Sequence, residues 1–235
     1  MTTLFISDLH LDDRRPETTD WLLQFLQDEA SSADALYILG DLFEYWLGDD
    51  VTSTCGDQVA VALSALTDKG VPCYFMHGNR DFLLGESYAG QAGMTLLPQE
   101  YVVNLYGEQV LLMHGDSLCT DDIPYQQFRA LVRKPAWQDD FLGKSPQQRL
   151  EIATQARDAS AEHKGNVGMA IMDVNPAAVV TAFERHGVQK MIHGHTHRPA
   201  NHALEVNGKP AQRIVLGDWY TQSSVLRVSP GKFKL

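Results

Sequence analysis

Five times along the chain a short apolar run ends in side chains able to hold a metal ion. Leu4-Phe5-Ile6-Ser7 leads into Asp8-Leu9-His10, Leu36-Tyr37-Ile38-Leu39-Gly40 into Asp41, and Cys73-Tyr74-Phe75-Met76-His77-Gly78 into Asn79. Val110-Leu111-Leu112-Met113 then leads into His114, and Met191-Ile192-His193-Gly194 into His195-Thr196-His197. Two donors one residue apart suit a metal, because a loop leaving a strand can turn both toward one ion. Strand ends in α/β sheets are where such loops converge over a rigid base. Each piece alone is weak: an Asp-x-His is more often a surface turn, Gly-Asp a capped turn, and a lone histidine a packed one. Together, in order from Asp8 to His197, they predict one shared pocket.

The seven donors, Asp8, His10, Asp41, Asn79, His114, His195 and His197, exceed what one ion takes when four of them are imidazoles. Two ions sharing one carboxylate would have four protein ligands each, which favours a binuclear centre. Two dications at ~4 Å repel by roughly 15 kcal/mol at an effective dielectric near 20, so an anionic bridge is required. Asp41, standing alone after its run, is the natural bridge. Two dications, two carboxylates and a bridging hydroxide leave the pocket positive, and neutral Asn79 preserves that surplus. A positive pocket selects an anion, and phosphate esters or anhydrides suit it best because paired metals can generate hydroxide at neutral pH and hold attacking and leaving oxygens.

The elements that must position these residues can be read from the same pattern. Apolar runs at Thr3 to Ile6, Ala35 to Leu39, Cys73 to Met76, Val110 to Met113, Met191 to Ile192, Ile214 to Leu216 and Val225 to Val228 are expected as strands. Helical patterns alternate with them at about Thr19 to Ala30, Asp57 to Lys69 and Pro176 to His186, the last with Asn175 as N-cap and Gly187 as stop. The class is therefore α/β. Shorter connections from about Tyr101 onward, including Asn207-Gly208, favour hairpins and a mixed sheet. From about Asp121 to Gly168 the rhythm breaks: no strand-like run occurs, and Pro124, Pro135 and Pro146 cut the stretch into helical pieces. Ser145-Pro146-Gln147-Gln148 reads as a capping box opening a helix to about Gly165, and Phe128, Leu131 and Val132 as one apolar face of an earlier helix.

Composition bounds the rest. With 235 residues, 44% hydrophobic, the chain can bury a sizeable core. No window approaches the ~18 uninterrupted apolar residues of a membrane-spanning helix, and the start lacks the flank and apolar block of a signal peptide. Cys55, Cys73 and Cys119 form no C-x-x-C pair and no even disulfide set, which fits a reducing, cytoplasmic setting. A net charge of -11 argues against nonspecific binding of nucleic acid. Residues 121–168 carry seven basic and seven acidic side chains, so this stretch is neutral and the remainder holds all the negative charge.

The blocks Asp8-Leu9-His10, Gly40-Asp41, Gly78-Asn79-Arg80-Asp81, His114 and Gly194-His195-Thr196-His197 resemble those of the calcineurin-like metallophosphoesterases. The resemblance implies a single domain over 1–235, a four-layer αββα sandwich of two mixed sheets with a helical insertion lid at about 121–168. It also divides the ligands: Asp8, His10, Asp41 and His197 on one metal, Asp41, Asn79, His114 and His195 on the other. Asp41, Asn79, Arg80, His114 and His195 are the residues it marks for catalysis. Many members place histidine where this chain has Arg80, as proton donor to the leaving group. Arginine does not give up its proton near neutrality, but it can grip phosphate oxygens, which favours a pyrophosphate over an alkyl phosphomonoester.

Further strings are similar to one branch, the pyrophosphatases that cleave UDP-2,3-diacylglucosamine in bacterial lipid A synthesis. They are Gly40 to Glu44, His77 to Gly85, Leu118 to Asp122, Ala170 to Pro176 and His193 to Pro199. The branch implies two manganese ions, iron or zinc being acceptable to the same donors, and water attacking the uridine-side phosphorus. It implies substrate contacts by Asn79, Arg80, Asp122, Ser160 and His195, with Tyr125 nearby. A diacylated substrate needs an apolar groove, for which Phe128, Leu131, Trp137, Phe141, Trp46 and Phe82 are either liners or ordinary core. The neutral insertion can approach an anionic membrane, so peripheral contact with the cytoplasmic face of the inner membrane is expected, with no obligate protein partner. Another phosphoester substrate, a cyclic nucleotide or phosphoprotein, fits Arg80 and the insertion less well, and a non-catalytic scaffold would lack ligand residues that are all present here.

Overall fold

The computed structural model describes residues 1–51, 53–166 and 173–235, and only the backbone of 159–166. Each apolar run read from the sequence falls on a strand, with only Leu39, Leu216 and Val225 one residue beyond the strand ends. In the first sheet β1 (Thr3–Ile6), β2 (Ala35–Ile38), β3 (Cys73–Met76) and β4 (Met94–Leu97) run parallel, and β10 (Leu226–Ser229) and β11 (Lys232–Lys234) add antiparallel strands beside β1. The second sheet has the order β5 (Glu100–Leu105), β6 (Glu108–Met113), β7 (Lys190–His193), β9 (Lys209–Val215), β8 (Ala200–Val206). Its centre is parallel and its two edges antiparallel. Both sheets are thus mixed, as expected.

Alternation along the strands builds two cores. Leu4 and Ile6 of β1 and Leu36 and Ile38 of β2 pack with α1 (Pro16–Asp28), α2 (Thr54–Asp68) and α3 (Glu86–Gln91). Phe5, Tyr37 and Met76 point the other way, into the core built with β6, β7, β9 and α7 (Pro176–His186). Tyr37 stacks on Phe5 and Tyr74 there, with centroids 5.0 and 4.6 Å apart. Helices outside two facing sheets give the four layers.

Local signals hold where the chemistry is specific. Asn175 accepts from the amides of Ala177 and Ala178 at the start of α7, and Gly187 closes it at φ 65°. Ser145 and Gln148 exchange the two bonds of a capping box at 3.1 and 3.4 Å. Asn207 and Gly208, at φ 54° and 71°, make the β8–β9 hairpin turn. Elsewhere boundaries shift: α1 begins at Pro16 rather than Thr19, and α2 at Thr54 rather than Asp57, because Ser53 and the remote carboxylate of Asp13 both cap its first amides. β4, β8 and β11 escape an apolar-run reading because they lie at or beside sheet edges with partly exposed faces.

Between β6 and α7 the chain forms α4 (Ile123–Val132), α5 (Pro135–Leu142) and α6 (Pro146–Asn166). The apolar face expected on α4 does not hold as a unit: Val132 is buried, but Phe128 and Leu131 are 43% and 48% exposed. Ile152 and Ala153 pack α6 on the first core, and the helix is tied down further by Arg149, buried in this mostly polar segment. It holds Asp50 with two bonds at 2.6 and 2.9 Å and the carbonyls of Leu47, Leu142 and Lys144 at 2.6 to 2.9 Å. Among the described residues no helix is long and apolar enough to cross a membrane.

Candidate metal centre

All seven expected donors stand just past the C-terminal ends of parallel strands: Asp8 and His10 after β1, Asp41 after β2, Asn79 after β3, His114 after β6, His195 and His197 after β7. The sheets face each other, so these loops meet. Seven described non-glycine residues have positive φ, and five of them are Asp8, His10, Asp41, His195 and His197, at 52° to 68°. Such backbone costs about 1 to 3 kcal/mol per residue and persists only where the surroundings impose it. The left-handed turns swing successive donors inward instead of letting them alternate as in a strand.

Glycines permit the close approach. A Cβ on Gly40 would sit 2.5 Å from the Gly78 amide and 2.6 Å from His114 Nδ1, and one on Gly78 would collide with the Asp41 carboxylate. The Gly-Asp and Gly-Asn pairs are therefore packing requirements. Backbone amides then fix the carboxylates: His195 donates to both Asp8 oxygens at 3.1 and 3.0 Å, and Arg80 donates to Asp41 Oδ1 at 2.8 Å.

The donors divide into two groups. His10 Nε2 lies 3.2 Å from His197 Nε2, which lies 3.4 Å from Asp8 Oδ1. Asn79 Oδ1 lies 3.1 Å from His114 Nε2 and 2.9 Å from His195 Nδ1. Asp41 joins them, Oδ2 3.8 Å from His10 Nε2 and Oδ1 3.7 Å from His114 Nε2. Asp8, His10 and His197 form one cluster with all ligand atoms within 4.8 Å, and Asp8, Asp41 and His114 another.

The outer nitrogens test whether a cation fits. His10 Nδ1 faces Glu44 at 3.0 Å, His197 Nδ1 faces Asp218 at 3.4 Å, and His114 Nδ1 faces the Leu39 carbonyl at 2.8 Å. At His114 the carbonyl keeps the ring N–H outside and aims the bare nitrogen inward, the arrangement metal-binding imidazoles adopt, while the carboxylates beside His10 and His197 are within ion-pair reach without a hydrogen bond. Where the inward nitrogens of His10 and His197, 3.2 Å apart, both present lone pairs, they need a positive partner. The charges respond to one another: burial works to raise the Asp8 carboxyl, but the His197 hydrogen bond and the imidazoles of His114, His197 and His10 hold it well below the usual range. Burial works against protonation of His114, yet Asp41 and Asp8 lift its pKa. His195, buried and beside His114, is pushed down to about 4.

Asp81 was not singled out among the sequence candidates, although it closes the Gly78 block. Fully buried, it accepts amides of Gly78 at 2.9 Å, Leu42 at 2.7 Å and Asp41 at 3.3 Å, and so binds the loops after β2 and β3 together. Burial and the Asp41 charge push it up to about 6. Glu44 and Asp218, which support His10 and His197, carry no spacing signal.

The centre opens into a cavity of about 550 Å³. Asn79, Arg80, His195 and His197 line its polar end. Trp46, Phe82, Leu83, Phe128, Trp137, Phe141, Ile152 and Ala153 give the cavity a broad apolar surface, interrupted by Glu44, Arg129, Arg133 and Arg157. Of the six proposed liners only Leu131 is absent from the wall: it faces solvent. Trp46 and Phe141 are both core and lining. Asp122 lines the cavity while capping α4 through the Tyr125 amide at 3.1 Å. Tyr125 stacks on His195 with centroids 6.0 Å apart and donates its hydroxyl to Asp116 at 2.8 Å. The side chain of Ser160 lies outside the described residues.

Comparison with known proteins gives the family. A calcineurin-like phosphoesterase family model matches residues 1–199. A protein of Stenotrophomonas maltophilia (strain R551-3) named UDP-2,3-diacylglucosamine hydrolase is 57% identical over 242 residues, covering 100% of this chain and 98% of its own. Proteins of the same name from Escherichia fergusonii and Xanthomonas axonopodis pv. citri are 55% and 54% identical, covering 100% and 97% of this chain and 98% and 95% of their own. An archaeal phosphodiesterase structure aligns at 12% identity with a TM-score of 0.49, covering 100% of this chain and 98% of that one. With its strand-end donors and a full-length match to these hydrolases, the chain belongs to the calcineurin-like phosphoesterase family.

Proposed function

We propose that this protein hydrolyses the pyrophosphate bond of UDP-2,3-diacylglucosamine to UMP and 2,3-diacylglucosamine 1-phosphate, water entering at the uridine-side phosphorus. The observation that carries this reading is one continuous cavity in which Asn79, His195 and His197 of the donor cluster share the lining with a broad aromatic and aliphatic surface and with the charged side chains of Arg80, Arg129, Arg133 and Arg157. Such a cavity suits a head group with a phosphoanhydride joined to acyl chains, and the names of the relatives supply that substrate. Each methylene withdrawn from water contributes about 0.8 kcal/mol, so partial enclosure of two chains would dominate recognition.

Asp8, His10, Asp41 and His197 would hold one divalent cation and Asp41, Asn79, His114 and His195 a second, manganese being the metal of this reading. Such a pair supplies hydroxide at neutral pH and offsets charge on phosphate oxygens. The chain's own contribution is placement. Glu44, Asp218 and the Leu39 carbonyl orient three imidazoles, and the Arg80 amide and Asp81 fix the Asp41 loop. The Arg80 side chain grips phosphate oxygens and stabilises charge on a phosphate leaving group that needs no proton. Asp122, Tyr125 and Ser160 contact the sugar nucleotide.

Helices α4 to α6 act as the lid over the acyl chains. Ile123, Phe128 and Leu131 on α4, with Leu142 and Leu150 following, are exposed apolar side chains on this neutral stretch. We place this face against the cytoplasmic surface of the inner membrane, where the substrate's acyl chains reside. Purified protein supplied with manganese should release UMP from UDP-2,3-diacylglucosamine, and no UMP would defeat the proposal. Sedimentation with anionic vesicles at low salt tests the membrane contact, and absence of pelleting counts against it.

A further inference from the structure

Arg133 is a half-buried cation for which the centre described so far has no use. It caps the C-terminal end of α4 and lines the cavity where the donor cluster meets the apolar wall. Its Nη2 donates to the Gly78 carbonyl at 2.6 Å, and the guanidinium lies 5.2 Å from the centroid of the Phe82 ring. Among the described residues Nε and Nη1 have no hydrogen-bond partner, and no carboxylate lies within 4.0 Å. One turn earlier on the same face, Arg129 is paired with Asp116 at 2.7 Å. Burial draws the Arg133 pKa down, against the more distant pull of Asp116. The two unused donors belong to a half-buried side chain that lines the cavity, so an anion entering there meets a guanidinium with no carboxylate in reach.

The position says which anion. Gly78 immediately precedes Asn79 and Arg80 and packs on the Asp41 carboxylate, so Arg133 stands beside the donor cluster. Phe82, which the guanidinium overlies, and Trp137, 6.2 Å from Phe82, begin the apolar wall on its other side. A molecule with its attacked phosphorus over the donors and its acyl chains along the wall must place the second phosphate between them. We infer that Arg133 binds the phosphate that remains on the acylated sugar, using the two nitrogens left free by Gly78. This rests on the function proposed above. A neutral acyl carbonyl could accept the same hydrogen bonds but would not balance the charge.

The test compares two ligands on the manganese-loaded protein: 2,3-diacylglucosamine 1-phosphate and 2,3-diacylglucosamine without the phosphate, each titrated by calorimetry. R133Q should bind the phosphorylated lipid roughly 10- to 100-fold more weakly than the unsubstituted protein and the dephosphorylated lipid equally well, and R133K should recover part of the loss. Equal weakening of both ligands makes Arg133 a brace for α4 or a carbonyl contact, and weakening of neither makes it idle; either result overturns the inference. Should R133Q not fold, R133K decides alone: loss confined to the phosphorylated ligand supports the assignment, and any other pattern ends it. UMP release by the unsubstituted protein checks the underlying function separately, so an active protein with an indifferent R133Q defeats only the role given to Arg133.

Discussion

The floor and the wall of the cavity are built on opposite plans. The floor is loops clamped at the ends of buried parallel strands, with Asp8, His10, Asp41 and His114 all buried and the backbone of the first three forced into the left-handed region. The wall is largely helical, with Phe128 nearly half exposed and α6 held by the Arg149 hydrogen bonds, by Ile152 and Ala153 packed on the core, and by Arg157 over the Tyr45 ring. The difference separates chemistry from recognition. Bond cleavage tolerates little displacement of a donor, so its residues sit where the fold is least able to move. Acyl chains need area rather than angles, and helices with loosely packed apolar side chains supply it.

Changes to the floor should therefore act on metal and turnover whatever the acyl length, and changes to the wall on lipid discrimination with metal binding intact. The largest effect is expected for Asp41→Asn, which removes charge from the residue facing both donor groups: UMP release should fall by about three orders of magnitude, with fewer metal equivalents bound by elemental analysis. Arg149→Met should come next, acting on stability alone. Asp50 is mostly exposed, so the ion pair itself contributes little, but the carbonyls of Leu47, Leu142 and Lys144 lose their donor, and urea denaturation should show a loss of about 3 kcal/mol with metal stoichiometry unchanged.

Glu44→Gln should weaken manganese binding by about 10- to 100-fold in a chelator competition, with turnover restored at high metal, because it loosens the orientation of His10 without touching a donor. The smallest effect is expected for Phe128→Ser: about a fivefold drop in kcat/KM on the diacylated substrate, none on a short-chain analogue, and unchanged metal affinity. A shift in metal affinity from Phe128→Ser, or a chain-length dependence from Glu44→Gln, would dissolve the distinction between floor and wall.

Legibility in the sequence followed the same division. The donors could be read because each followed a buried strand whose apolar run is unmistakable, and α7 because Asn175 and Gly187 mark its ends. The supports could not: Asp81, Glu44 and Asp218 act through contacts that the fold alone creates, Asp218 reaching His197 from beyond β9. Edge strands such as β8, exposed along much of their length, offer no apolar run, and on this neutral, polar helix Arg149 reads as one more solvated charge. Leu131 failed as a liner because helical spacing identifies a face without saying which side the rest of the molecule will cover.

The amide of His195, from the second sheet, rests on the Asp8 carboxylate, from the first. A cation held by Asp8 and His197 would thus be a rivet through the seam of the sandwich, fastening two layers that apolar side chains such as Phe5 and Tyr37 and a few hydrogen bonds also join. Cofactor uptake becomes a check on assembly: a chain whose sheets dock out of register never completes the donor set, so misassembled molecules stay metal-free and inert instead of hydrolysing phosphoanhydrides indiscriminately.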